Sequence, residues 1–152
     1  MTNVFDIYNY IDSFAPFDTA MDFDNCGILV GDKNVPVSKA FVCLDITKET
    51  IEEAKAFGAS LIISHHPVIF SPLKSVEKGS VVYELIENRL TAICAHTNLD
   101  MAKFGVNRSL AEKMEIRSIT GMDILPETKA PQWFFGELEN ALTAEELALL
   151  LK

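Results

Sequence analysis

The sequence predicts an α/β fold in which βαβ units surround a mainly parallel sheet. Two features of the chain predict it. Short apolar runs alternate with amphipathic stretches of helical period. The apolar runs show little alternation with polar residues, which is typical of strands that a parallel sheet buries on both faces. Right-handed crossovers through the helices would then connect these strands.

The first half of the chain contains four predicted elements. Apolar residues at spacings of three and four predict a helix over residues 4–14, which Pro16 ends. Residues 28–30 suit a short edge strand, and residues 40–44 suit a strand that is buried on both faces. A helix should follow over residues 48–57, with Thr47 as its N-cap and Gly58 as its stop.

The same rhythm continues to about residue 125. Strands are expected at 61–63 and 91–95, helices at about 80–90 and 106–114, and a further strand at 117–125 that is interrupted at Gly121. After a polar stretch and an aromatic run, a capping box of Thr143 and Glu146 predicts one more helix. The sequence stops within that helix. We therefore expect an N-terminal lobe at residues 1–125 and, at 126–152, a linker with the start of a truncated second lobe.

Composition narrows the classes of function. Of 152 residues, 49% are hydrophobic and 23% are charged, as in an ordinary globular domain. The formal net charge of −9 disfavours nucleic acids and anionic membranes as partners. No apolar run approaches the ~18 residues of a membrane span, and the N-terminus does not resemble a signal peptide. We expect a cytoplasmic protein with a small-molecule substrate.

The three cysteines are odd in number and widely spaced, and they form no Cys-x-x-Cys pattern. This disfavours a disulfide scaffold or a structural zinc site. Cys43 and Cys94 lie inside apolar runs, so we expect both to be buried, unpaired and without metal contact.

The three histidines of the chain all follow strand-like runs. His65 and His66 come after residues 61–64, and His96 comes after residues 93–95, with Asp100 four residues further on. Asp45 holds the same place after residues 41–44. Ligands of open α/β sheets bind at the carboxyl ends of the strands. Imidazole and carboxylate groups together suit zinc, iron, manganese or nickel, so this edge is a candidate metal site.

Simpler interpretations compete with this one. A single histidine at a strand end is often only hydrogen-bonded, and adjacent side chains on a strand point to opposite faces. Both His65 and His66 reach one cavity only through a tight turn, which Pro67 would stiffen. Asp45 belongs either to the site or to the cap of the following helix.

Four short motifs occur in order along the chain. They read DNCGILVG at residues 24–31, LDIT at 44–47, ISHHPVIFSPLKS at 63–75 and AHTNLD at 95–100. These motifs resemble the signatures of the type 2 homologues of GTP cyclohydrolase I, also called the NGG-interacting-factor-three-like family. Phe23 replaces the family's usual Trp, and Cys26 replaces its usual Val.

The resemblance implies a two-lobed protein with a three-layer first lobe, two divalent metal ions between the lobes, and assembly into a homohexamer. It implies His65, His66 and Asp100 as metal ligands, with His96 beside them. The family's remaining ligands, a His and a Glu near the C-terminus, have no counterpart, because this chain has only three histidines. Counting ligands also indicates an incomplete site, since two catalytic ions need about five or six protein ligands. His65, His66, His96 and Asp100 fall short of that number even if all of them bind.

The function that we expect is that of a metal-dependent hydrolase of unknown substrate, in which a metal-activated water is the nucleophile. His96 is our candidate catalytic residue, as a proton shuttle or an additional ligand. The alternative is a metal-binding protein without catalysis that acts as a regulatory or interaction partner.

Overall fold

The fold was analysed in a computed structural model, which describes residues 1–124 and 131–151. The chain forms two compact units, Met1–Leu99 and Asp100–Lys152. The lobe boundary that the sequence predicts at residue 125 falls inside the second unit, and the division into lobes stays a prediction. None of the helices in the described ranges is long and apolar enough to cross a membrane.

A four-stranded sheet forms the centre of the first unit. Its strands are β1 (Gly27–Val30), β2 (Ala40–Cys43), β3 (Leu61–Ser64) and β4 (Thr91–Cys94), in the order β1-β4-β3-β2. The pairs β2–β3 and β3–β4 are parallel, whereas the edge strand β1 pairs with β4 antiparallel. The predicted α/β class with a mainly parallel sheet is therefore confirmed.

Most of the described helices fill positions that the sequence pattern predicts, but the short helix α4 was not predicted. Their bounds are α1 (Val4–Asp12), α2 (Lys48–Phe57), α3 (Val81–Glu87), α4 (Thr97–Met101), α5 (Val106–Lys113) and α6 (Ala144–Leu150). Thr47 caps α2 through a reciprocal bond pair with Thr50, and Gly58 ends it at φ +77°. Ile51 and Ala54 of α2 are buried in one core cluster with Ile62 of β3.

Strand β2 differs from its prediction. It lies at an edge of the sheet, where Val42 is 73% exposed and Cys43 is only half-buried. In the register, Val42 stands beside Ile63, which stands beside the fully buried Ile93. Side chains on the face that carries Val42 therefore become more exposed from β4 towards β2. An apolar run shows that a strand suits a sheet, but it does not show whether the strand has a neighbour on each side.

The second unit contains an antiparallel hairpin of β5 (Arg117–Ile124) and β6 (Pro131–Glu137). The predicted interruption at Gly121 is wrong, because Gly121 pairs regularly with Phe134. The register shift lies between Arg117 and Thr120, where Ser118 has a positive φ of 52°. Leu125, the end of the predicted strand, lies outside the described residues. The capping box of Thr143 and Glu146 at the start of α6 is confirmed.

Asp24 attaches the loop before β1 to the chain segment after β4. Its side chain is fully buried. Oδ1 accepts hydrogen bonds from Asn25 N at 2.7 Å and from His96 Nδ1 at 2.9 Å. Oδ2 accepts from Thr97 N at 3.0 Å and from the Thr97 hydroxyl at 2.5 Å. A buried carboxylate with this many donors stabilises the folded chain, because its charge is compensated.

Gly31, directly after β1, lies against the start of β4. It has φ +100°, and a Cβ at this position would lie 2.8 Å from Thr91 Cα. Gly79 also has a positive φ, of 84°, but a Cβ there would meet no described atom within 4 Å. Comparing alanine substitutions at Gly31 and Gly79 therefore separates the effect of steric overlap on stability from the effect of backbone strain.

We expect Gly31→Ala to lower the free energy of unfolding by ~3 kcal/mol or more, because strain and overlap add. Gly79→Ala should cost only about 1 kcal/mol, from strain alone. Urea unfolding of the two variants measures the difference. Equal losses would show that the backbone near Thr91 yields without cost.

Replacing Asp24 by Asn should lower the free energy of unfolding at neutral pH by ~2–4 kcal/mol, because an amide group then faces the donors of Thr97. Asp22→Asn, in the exposed part of the same loop, is the control and should change little. Urea unfolding followed by circular dichroism compares the two variants.

The loss should depend on pH. Burial raises the pKa of the Asp24 carboxyl, but hydrogen bonds from Thr97, His96 and Cys26 outweigh burial and hold that pKa well below its ordinary value. Such a group stabilises the fold above the pKa of an unfolded Asp, about 3.9, and this stabilisation is lost as the pH falls below that value. The difference between the wild type and Asp24→Asn should therefore shrink below about pH 4. A constant difference would contradict this account.

Candidate metal centre

The register of the parallel strands brings the predicted site residues to one edge of the sheet. Cys43 pairs with Ser64, and Ser64 pairs with Cys94, so the three strands end in one row. Backbone bonds extend the row: His66 N donates to Leu44 O at 2.9 Å, and Ala95 N donates to Ser64 O at 3.0 Å. The residues that follow the strands therefore leave the sheet side by side.

The three imidazole rings form one cluster. Ring centroids are 5.1 Å apart for His65 and His66, 5.1 Å for His65 and His96, and 5.6 Å for His66 and His96. One ring nitrogen from each lies within 4.8 Å of the others, a spacing that can hold a metal ion. The turn after β3 makes this possible, because the Ser64 hydroxyl donates to the carbonyl of His66 at 2.9 Å.

Each histidine has its Nδ1 beside a hydrogen-bond acceptor. His66 Nδ1 is 2.7 Å from Asp45 Oδ1, and His96 Nδ1 is 2.9 Å from Asp24 Oδ1. His65 Nδ1 is 3.0 Å from the carbonyl of Ala95. Carbonyl and carboxylate oxygens only accept, so Nδ1 carries the proton in each neutral ring and Nε2 carries the lone pair. A metal-binding imidazole is commonly arranged in this way.

The structure decides between the two interpretations of Asp45. Thr47, not Asp45, caps α2. The Asp45 carboxylate contacts His66 and is 56% exposed. Asp45, His65, His66 and His96 are therefore brought together, as their shared position after strands predicts.

Asp24 is a site residue that the sequence analysis did not single out. It precedes β1 in a loop rich in turn residues, 72 positions before its partner His96. The motif at residues 24–31 was the one available signal, but a motif does not say which side chain its carboxylate contacts. That contact depends on the antiparallel pairing of β1 with β4.

Asp100 lies in α4 and is half-buried. It is the first residue of the second compact unit, whereas the histidine cluster belongs to the first unit. Its role as a metal ligand stays a prediction.

The three cysteines are free thiols. All three are within the described ranges and none forms a disulfide. Cys94 is buried, as predicted, and its Sγ donates to the carbonyl of His65 at 3.1 Å. The neighbouring Cys26 thiol, together with burial, raises the pKa of Cys94. The prediction that Cys43 is buried is wrong, because β2 is an edge strand.

The chain is similar to curated proteins named GTP cyclohydrolase 1 type 2 homolog. One from Clostridium perfringens is 36% identical over an alignment of 152 positions, which covers 97% of this chain and 58% of the relative. One from Staphylococcus aureus is 39% identical over an alignment of 118 positions, which covers 76% of this chain and 32% of the relative. The chain thus spans 32% to 58% of the length of these relatives.

A solved structure of a hypothetical protein from Staphylococcus aureus shares the fold. Its TM-score is 0.89 at 26% identity, and the match covers 98% of this chain and 63% of that chain. The family model described as Duf34/NIF3 (NGG1p interacting factor 3) matches residues 2–152. The resemblance carried by the four motifs is confirmed, and this chain belongs to the Duf34/NIF3 family.

Proposed function

We propose that His65, His66 and His96 hold a divalent metal ion through their Nε2 atoms. The observation that carries this proposal is the acceptor beside each Nδ1, because it leaves three imidazoles in the tautomer that ligates through Nε2. Neutral imidazoles suit zinc, iron, manganese or nickel. A purely structural cluster would not require an acceptor beside Nδ1 in all three rings.

A complete centre would hold two ions. Two ions need about five or six protein ligands, and the three histidines supply half of that number. Asp100 is the fourth ligand that we propose. The remaining ligands would come from a region equivalent to the part of the relatives that this chain does not match. We also propose that the protein assembles into a homohexamer.

The activity that this centre supports best is hydrolysis of a small molecule. A bound divalent ion supplies a water of lowered pKa, which is the nucleophile in metal-dependent hydrolases. If His96 does not bind the ion, its Nε2 is suited to accept a proton, because its Nδ1–H donates to the buried Asp24 and its side chain is 20% exposed. This proton shuttle is the alternative to the ligand role proposed above, because one Nε2 lone pair cannot bind the ion and accept a proton at the same time.

Metal titration tests the binding site. The metal-free chain should take up one zinc ion, since three histidines satisfy one ion with an open position. His66→Ala should weaken zinc binding at least ~10-fold, and Lys74→Ala, in the exposed loop after the histidine pair, should leave it unchanged. Calorimetry with metal analysis measures both. Unchanged affinity after His66→Ala would exclude this cluster as the site.

Activity is tested on metal-loaded protein of full natural length, with phosphoesters and nucleotides that include GTP, since the relatives' name suggests that substrate. Turnover should require the metal and should fall by ~10³-fold or more in His65→Ala. Loss of turnover in His96→Ala with metal retained would support a proton shuttle, and loss of metal would support a ligand. A loaded protein that converts none of these compounds would contradict the hydrolase and favour a regulatory or interaction partner.

A further inference from the structure

Two carboxylates stand behind two of the three imidazoles, on the side of the ring opposite Nε2. Asp45 Oδ1 is 2.7 Å from His66 Nδ1, and Asp24 Oδ1 is 2.9 Å from His96 Nδ1. We infer that Asp45 and Asp24 are positioning residues, which hold His66 and His96 with Nδ1 protonated and Nε2 directed to the ion. The inference rests on the proposed metal site and adds the groups that orient its ligands.

The chemical reason lies in the two tautomers of a neutral imidazole. Without a partner, an imidazole exchanges its proton between the two nitrogens and rotates about its side-chain bonds. A carboxylate that accepts from Nδ1 selects one tautomer, fixes the ring orientation and makes Nε2 a stronger donor to a metal. Losing such a partner commonly weakens metal binding 10- to 100-fold.

Asp45 is not itself in the ligand cluster. Among the described residues, the group whose ligand atoms lie within 4.8 Å of one another consists of His65, His66 and His96 alone. The carboxylate contacts the far nitrogen of His66 and therefore acts through that ring. Its 2.7 Å contact to Nδ1 is among the shortest hydrogen bonds of the site.

The exposure of the Asp45–His66 pair indicates that it serves the site rather than the fold. The Asp45 side chain is 56% exposed and the His66 ring is 44% exposed. Ion pairs in contact with water add little to the free energy of folding. Asp45 also has no part in capping α2, which Thr47 does. Orienting His66 is the remaining role that its side-chain contact suggests.

The two carboxylates differ in how cleanly they can be tested. Asp24 is fully buried and also binds Thr97, so its replacement changes stability as well as the orientation of His96. Asp45 can be replaced without disturbing a buried network. The decisive variants are therefore Asp45→Ala, which removes the acceptor, and Asp45→Asn, which keeps an acceptor oxygen but removes the charge. Glu53→Gln, on the exposed face of α2, controls for the loss of one charge.

The experiment combines zinc affinity with the ¹⁵N shifts of the imidazoles in metal-free protein at alkaline pH. Asp45→Ala should weaken zinc binding ~10- to 100-fold and move the His66 signals towards a mixture of tautomers. Asp45→Asn should restore part of the affinity and the Nδ1–H tautomer. The urea midpoint, the His65 signals and the Glu53→Gln variant should all stay at wild-type values.

The outcomes separate this inference from the proposed site. Unchanged zinc affinity in His66→Ala would overturn the metal site itself. If His66→Ala weakens zinc binding but Asp45→Ala binds zinc with wild-type affinity, only the positioning role of Asp45 is overturned. Weaker binding in Asp45→Ala with unchanged His66 signals would instead make Asp45 a direct ligand. A fall in the urea midpoint in parallel with affinity would assign it a structural role.

Discussion

The candidate site depends on the register of three parallel strands. Cys43, Ser64 and Cys94 stand in one row, and the residues after them leave the sheet at the same level. A slip of one residue in any pair would turn the side chains of that strand to the other face. Leu61, Ile62 and Ile93 are fully buried, so such a slip would require the core around β3 and β4 to repack. Packing in the core therefore fixes the level at which the segments that carry the histidines leave the sheet.

The candidate site is buried on one side and open to water on the other. On the β1 side, Asp24 is buried and holds both His96 and the start of α4 through Thr97. On the β2 side, Asp45 and His66 are about half-exposed. The difference follows from the sheet, because β4 has neighbours on both sides and β2 lies at an edge. In such an arrangement His96 is held in place by a buried partner, while the side of the site at His66 stays accessible to water.

The sequence interpretations that proved wrong have one physical cause. The exposure of β2, the half-burial of Cys43 and the regular pairing of Gly121 all depend on which strand lies next to each of these residues. The partner of each of these residues lies on another strand, so the local pattern around the residue carries no record of it. The helices were predicted more closely, since their caps, such as Thr47 with Gly58 and the Thr143–Glu146 pair, are local in sequence.

The sequence by itself determined the α/β class, the order of most elements, the family and the placement of His65, His66, His96 and Asp45 after strands. These follow from local periodicity, caps and short motifs, which act over a few residues. Only the tertiary structure decided that Asp24 faces His96 and that Asp45 faces His66 rather than capping α2. Those contacts join residues 21 and 72 positions apart, and they exist only because pairing of the strands brings their ends together.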